Sequence, residues 1–305
     1  MSNVVLQFVS GLKSRDKDVQ NKTAQELSLY VKTELREMQP EDLLTFFEEF
    51  NHHIFEMLSS ADTNDKKGGV LAIRCLISGD VVNTTTRISR YSNNLRNLLP
   101  SSDVCVMELA AKVLVKLALL PGSKGAESFE FDIKRAFEWL TEERTEGKRH
   151  AAVLVLRELA VVMPTFFYQQ VGSFFEHIFV AIKDPKPMIR EGAGQALRAA
   201  LIVTSQREGT KQNNNPQWYN HCYDNAIECF QELPTREKGF NRDDRIHGAL
   251  IVFNEILRSS NSAWEKKYIQ LESLNVERRV RHTEDGHGIF PRIRVPFMEK
   301  LSGGG

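Results

Sequence analysis

Net charge is what the 305-residue sequence most plainly lacks: Lys plus Arg and Asp plus Glu both number 40, so the formal charge at pH 7 is zero. A chain without a field of one sign is not drawn as a whole to nucleic acid or to an anionic membrane, although local patches remain open. Long apolar runs are missing too. The longest, Val104 to Leu120, is short for a bilayer and carries Glu108, Lys112 and Lys116 on what would be one helix face, so no transmembrane segment is expected. The first eleven residues hold neither a basic opening nor a sustained apolar stretch before the charged run Lys13, Arg15, Asp16 and Lys17. No secretory leader is expected there, which points to the cytosolic or nuclear compartment.

Cysteine is scarce, and the four present (Cys75, Cys105, Cys222, Cys229) are expected as reduced thiols in that setting. His221, Cys222 and Cys229 come nearest to a metal cluster, but they have no C-x-x-C spacing and no fourth ligand, so ordinary helix packing is expected instead of zinc. Nucleotide motifs are wanting as well. No G-x-x-x-x-G-K-[ST] run occurs, and Gly192-Ala-Gly194 has Leu197 where a dinucleotide fingerprint needs glycine. Asn241-Arg-Asp-Asp244 only superficially resembles a kinase catalytic loop, because the histidine is missing and Gly248 stands where asparagine belongs. Asp243 and Asp244 read better as helix-capping acids. His52 and His53, adjacent on a helix, are expected to point to different sides. No catalytic residue, no cofactor site and no metal site is expected.

Almost nothing alternates with period two, so the class is all-α. The helices also repeat. An acidic or amide residue opens a helix, a basic or small polar residue follows, and Ala and Leu then mark the apolar face. The openings are Asp16, Asn64, Asp103, Glu146, Asp184 and Asp243, leading to Ala24 and Leu27, Ala72, Ala110 and Leu114, Ala151 and Leu154, Ala196 and Leu197, and Ala249 and Leu250. They lie about 38 to 48 residues apart once the polar loop 206–216 is removed from the last interval, the period of HEAT and armadillo repeats. An acid at a helix start accepts unpaired backbone N–H groups, alanine admits a close neighbour, and leucine fills the groove between helices. One helix pair cannot bury both of its apolar faces; stacked pairs can. The expected fold is a HEAT/armadillo-type right-handed α-solenoid of about six helix pairs.

The first helices of the pairs carry aromatic stripes, such as Phe46, Phe47, Phe50, Ile54, Phe55 and Leu58, or Ile88, Tyr91, Leu95, Leu98 and Leu99. These read as core, since buried aromatics dominate such interfaces. Pro40, Pro100, Pro121, Pro164, Pro185 and Pro216 fall where helices should stop or begin. Lys66, Lys67, Lys148, Arg149, Arg190 and Arg245 recur near the starts of second helices. They form either a partner-binding ridge or a set of internal salt bridges, and the second is expected.

Longer runs carry more than a fold class. Asn51-His-His-Ile-Phe55, Leu95-Arg-Asn-Leu-Leu-Pro-Ser101, the stretch from Lys148 to Ala160 with Pro164-Thr-Phe-Phe167, and Asn241 to Leu250 resemble the N-terminal HEAT region of target-of-rapamycin kinases. Thr204 to Glu208 and Pro216 to Tyr219 match as well, and the resemblance covers about residues 3 to 272. It implies a scaffold segment of a large serine/threonine kinase whose catalytic domain lies elsewhere, so no catalytic residue carries over. It also implies docking of a Raptor-type adaptor and a Rheb-type GTPase, contact with the rest of the kinase dimer, and recruitment from the cytoplasm to the lysosomal surface. The GTPase-docking face is expected along the first helices of the early repeats, at Arg87, Arg90, Lys134 and Glu138. The alternative is a HEAT adaptor for nuclear transport or a nucleic-acid-associated assembly, against which the neutral composition speaks. Residues 1–274 are expected as the solenoid, and 275–305, with Arg278, Arg279, Arg281 and a closing Gly303 to Gly305, as a disordered tail of a truncated or alternative product.

Overall fold

Each helix pair begins with a residue suited to end a turn and start a helix. The computed structural model describes residues 2–79, 85–100, 103–121, 123–142, 144–208, 217–230 and 241–259. Among them the chain runs α1 (Ser2–Leu12), α2 (Lys17–Lys32), the single turn α3 (Glu34–Glu37), α4 (Pro40–Ser59), α5 (Thr63–Ser78), α6 (Thr85–Leu98) and α7 (Val104–Leu117). It continues with α8 (Gly125–Thr141), α9 (Glu146–Val162), α10 (Pro164–Gln169), α11 (Val171–Ile182), α12 (Pro187–Glu208), α13 (Gln217–Glu228) and α14 (Arg242–Ser259). No strand occurs among the described residues.

The caps follow the polar residues of the sequence, with three shifts, one of which puts Thr145 and not Glu146 at the cap of α9. Asp16 accepts from the Asp18 N–H at 2.8 Å and Asp103 from the Val106 N–H at 2.8 Å, as expected of helix-opening acids. In the second repeat the cap is Asp62, which accepts from the Asn64 N–H at 2.7 Å; Asn64 is already inside α5. In the last repeat Asn241 takes the cap, bonding the Asp243 N–H at 3.3 Å. Asp243 and Asp244 sit within the first turn, where their charge still offsets the positive end of the helix dipole. Pro40 and Pro164 open α4 and α10, needing no hydrogen on their nitrogens there. Helix α12 runs through Glu208, so Gln206 to Glu208 are helical and not part of the loop expected at 206–216. The rest of that loop, Pro216, and the expected boundary at 274 lie outside the described residues.

The pairs α1–α2, α4–α5, α6–α7, α8–α9, α11–α12 and α13–α14 each pack as hairpins, and the second helices stack in series α2, α5, α7, α9, α12, α14. This is the helical solenoid of HEAT or armadillo type. Its core is the seam between successive pairs: Phe46, Phe47, Phe50, Phe129, Phe167, Phe174 and Phe175 are almost fully buried, as are Ala72, Ala110, Ala151, Ala196 and Ala249. Leu250 is a correction, at 45% exposure on the outer side of α14. Glycine appears where a second helix meets the end of the preceding repeat's first helix. A Cβ on Gly68 would stand 2.3 Å from the Leu12 carbonyl oxygen, and one on Gly248 only 2.0 Å from that of Ile182. Gly192 and Gly194 likewise face Val153 and Ile251 side chains, which accounts for them as packing glycines.

Three of the six basic positions at the starts of second helices, all arginines, are turned inward. Arg149 Nε donates to Asp184 Oδ2 at 2.6 Å, and Arg190 Nη1 donates to the Asp184 carbonyl at 2.6 Å and to Asp244 Oδ1 at 2.8 Å. Arg190 Nε also donates to His247 Nδ1 at 2.9 Å, and Arg245, nearly buried, bonds the Glu228 carbonyl at 3.1 Å. Arg149 and Arg190 tie repeat to repeat, whereas Arg245 fastens α14 to the end of α13 within its own hairpin. At the α2–α5 seam the same task falls to a neutral group, buried Gln20, whose amide donates to the Leu12 and Asn64 carbonyls at 2.8 and 3.0 Å.

Candidate protein-docking surface

Arg87 and Arg90 stand on α6 three residues apart, so they share one face, and that face looks onto α4. Their side chains do not simply project into solvent. The Arg87 guanidinium lies over the Phe47 ring, 3.8 Å from its centroid, and the Arg90 guanidinium over Phe55 at 4.6 Å. Arg87 is therefore half-buried, whereas Arg90 is exposed. Such stacks stabilise by about 0.5–1 kcal/mol each near the surface and hold the flat side chains in fixed orientations. Among the described residues neither arginine makes an ion pair within 4 Å.

The two arginines, Phe47, Phe55, Glu48, Asn51, His52 and Thr86 line a cleft of about 580 Å³ between α4 and α6. Its floor is fixed by the buried Tyr91, whose hydroxyl donates to the Asn51 side-chain oxygen. Burial pushes the Tyr91 phenol well above its ordinary range, so it remains a donor. His52 and His53 divide much as expected: His52 is exposed and lines the cleft, whereas His53 is partly covered beside Glu56, the two rings meeting edge to face at 5.7 Å.

Lys134 and Glu138 lie one turn apart on α8, both exposed, and neither lines the cleft. Helix α8 is nevertheless fastened to α6. Arg96 grips Asp132 with two bonds of 2.7 and 3.0 Å and Ser128 with a third of 2.8 Å, all largely shielded. Beside that clamp the half-exposed Phe131 ring has the Arg96 guanidinium at 4.9 Å and that of Arg135 at 5.9 Å, and Arg135 also covers Trp139 at 4.5 Å. Sequence reasoning named the arginines and missed their aromatic partners. The signal was the repeat period itself: Asn51 and Tyr91 are 40 residues apart, so a first helix finds its neighbour one repeat along.

The remaining candidate chemistry resolves as packing. Cys222 and Cys229 are buried, the Cys229 thiol bonding the Asn225 carbonyl at 3.3 Å, and His221 packs edge to face against Phe179 and Trp218. Burial raises the Cys222 thiol well above its usual range, and Cys75 is pushed up to about 11 by the same cause. Among the described residues no group of three or more His, Cys, Asp or Glu is placed to hold a metal ion, and no helix is long and apolar enough to cross a membrane.

A stacked helical-repeat array with an arginine-aromatic outer face defines a solenoid of the HEAT or armadillo class. Kap95p, in a solved complex with RanGDP, has the same kind of fold: the TM-score is 0.52 at 15% identity, over 90% of this chain and 33% of that one. No protein-family model matches the chain. Whole-protein relatives place it more narrowly. It is 54% identical over 314 residues to the serine/threonine-protein kinase mTor of Drosophila melanogaster, a match that spans 98% of this chain, and so extends into residues 275–305, but 13% of that kinase. It is 36% identical to the serine/threonine-protein kinase tor1 of Schizosaccharomyces pombe over 90% of this chain and 11% of that one. The chain belongs to the target-of-rapamycin family, as the counterpart of the N-terminal helical-repeat region of those kinases. It spans about an eighth of the length of the relatives it matches.

Proposed function

We propose that the chain is a protein-docking scaffold of a target-of-rapamycin kinase in growth and nutrient signalling. In this reading a Rheb-type GTPase seats on the outer ridge made by α4, α6 and α8, touching Arg87, Arg90, Lys134 and Glu138. A Raptor-type adaptor and the rest of the kinase dimer engage other faces of the stack. The chain is held in the cytoplasm and brought to the lysosomal surface through these partners. The observation that carries the reading is the pair Arg87 and Arg90, held flat on Phe47 and Phe55 with no internal ion pair among the described residues, unlike the inward-turned Arg149, Arg190 and Arg245. Arginine and aromatic residues so combined are the side chains on which protein interfaces concentrate their binding energy.

The test is capture of purified Rheb-type GTPase, loaded with GTP or with GDP, by the immobilised 305-residue chain. Capture should favour the GTP-loaded form and fall at least tenfold with Arg87→Glu and Arg90→Glu combined. Equal capture in both nucleotide states, or none, counts against the assignment.

A further inference from the structure

The cleft between α4 and α6 is rich in hydrogen-bond donors and poor in acceptors. Two guanidiniums enter it with their N–H edges uncommitted to any carboxylate among the described residues. Asn51 is oriented by Tyr91: its side-chain oxygen accepts the phenol hydroxyl, which leaves its NH₂ group as the part able to serve a ligand. The Thr86 hydroxyl and the exposed His52 ring complete the polar lining, and Glu48 is the one acid on it.

We propose that this cleft is a phosphoresidue site, taking a phosphoserine or phosphothreonine within a segment of a protein partner. One guanidinium is enough to satisfy both oxygens of a carboxylate through its planar fork. Two guanidiniums, an amide and a hydroxyl offer more donors than a carboxylate accepts, and the three terminal oxygens of a phosphate monoester match them better. Holding both forks against phenyl faces removes part of the ordering cost that flexible cations meet on binding. The volume of about 580 Å³ falls within the range of sites that enclose a small ligand, so it accommodates one modified side chain and parts of its neighbours. The chain as a whole is neutral, which gives no general attraction to an anionic bilayer and favours a peptide over a lipid headgroup. The inference goes beyond the scaffold reading: it assigns Arg87 and Arg90 a phosphoresidue as ligand, and peptide binding is read without any GTPase present.

The experiment uses the full 305-residue chain and three immobilised degenerate peptide pools, carrying a central phosphoserine or phosphothreonine, the unmodified residue, or glutamate. The phosphorylated pool should be bound at least tenfold more than either of the others. Arg87→Gln with Arg90→Gln should lower that binding at least tenfold, while Arg36→Gln, on an exposed residue outside the cleft, leaves it unchanged. Asn51→Asp keeps an acceptor for Tyr91 but sets a negative charge in the cleft, so it should weaken binding as well. If the double variant loses helical circular dichroism, Asn51→Asp carries the test. The proposal is overturned if the pools bind equally, if the glutamate pool binds as well as the phosphorylated one, if the variants bind normally, or if vesicles containing a phosphoinositide are bound in place of the peptides.

Discussion

Arg149 reaches from the first turn of α9 to Asp184, in the turn before α12, and closes a 2.6 Å ion pair in which the acid is 4% exposed and the arginine 17%. The same aspartate caps the Lys186 N–H at 2.9 Å, and its carbonyl receives Arg190, so one residue gathers three segments. Removing one partner of a shielded pair leaves the other charge without compensation, which costs more than the pair itself contributes. Asp184→Ala should therefore lower unfolding stability by about 3 kcal/mol. Urea titration followed by circular dichroism measures it, and a loss under about 1 kcal/mol, the range of surface pairs, would show that the junction is held by packing alone.

Glycine substitutions should separate into opposite signs. A Cβ at Gly248 meets the Ile182 carbonyl oxygen at 2.0 Å, and backbone cannot swing aside as a side-chain tip can. Gly248→Ala should cost about 1–3 kcal/mol through forced separation of α14 from α11. At Gly172, in the first turn of α11, an added Cβ meets nothing within 4 Å. Gly172→Ala should stabilise by about 0.5 kcal/mol, because alanine loses less backbone freedom in a helix. Melting temperatures of the two variants, compared side by side, decide the matter; an unchanged or raised melting temperature for Gly248→Ala would contradict the close approach there, and a lowered one for Gly172→Ala the open space at that position.

His150, at the start of the buried stripe of α9, is 5% exposed. Burial lowers its pKa, outweighing the opposite pull of Glu108. The unfolded chain therefore takes up this proton at higher pH than the folded one does. The histidine's contribution is complete above its ordinary pKa of about 6.5 and is lost as pH falls below it. Stability measured from pH 7.5 to 5 should decline, and His150→Gln should flatten part of that decline. An unchanged slope in the variant would assign the pH dependence to other groups.

Much of the fold was legible because a repeat states its rules several times. Alanine and leucine at helical spacing gave the second helices, the phenylalanine stripes gave the first, and Asp16, Asp103, Pro40 and Pro164 marked boundaries that the structure keeps. The misplaced caps share one cause. In polar runs such as Asp62 to Asp65 or Asn241 to Asp244 several side chains are competent to cap, and the choice depends on where the preceding turn releases the backbone. Leu250 was misread because the helical stripe of α14 is narrow and alanine beside it takes the buried position. The surface was less legible than the core. That Arg87 lies flat on Phe47 is a fact about two helices from different repeats, and periodicity within either helix is silent on it. Internal pairing was expected of Arg190 and Arg245, but their individual partners were illegible for the same reason, since they lie at the edges of neighbouring elements.

The uneven distribution of shielded ties makes the stack a graded mechanical element. Joints in series yield in order of weakness when an end is pulled. Around α12 the joints are riveted by Arg190 to Asp244 and His247 and by Arg198 to Glu255, while the buried side-chain links between α2 and α5 are the neutral ones of Gln20 and Cys75. Tension along the array should thus open the early joints before the later ones.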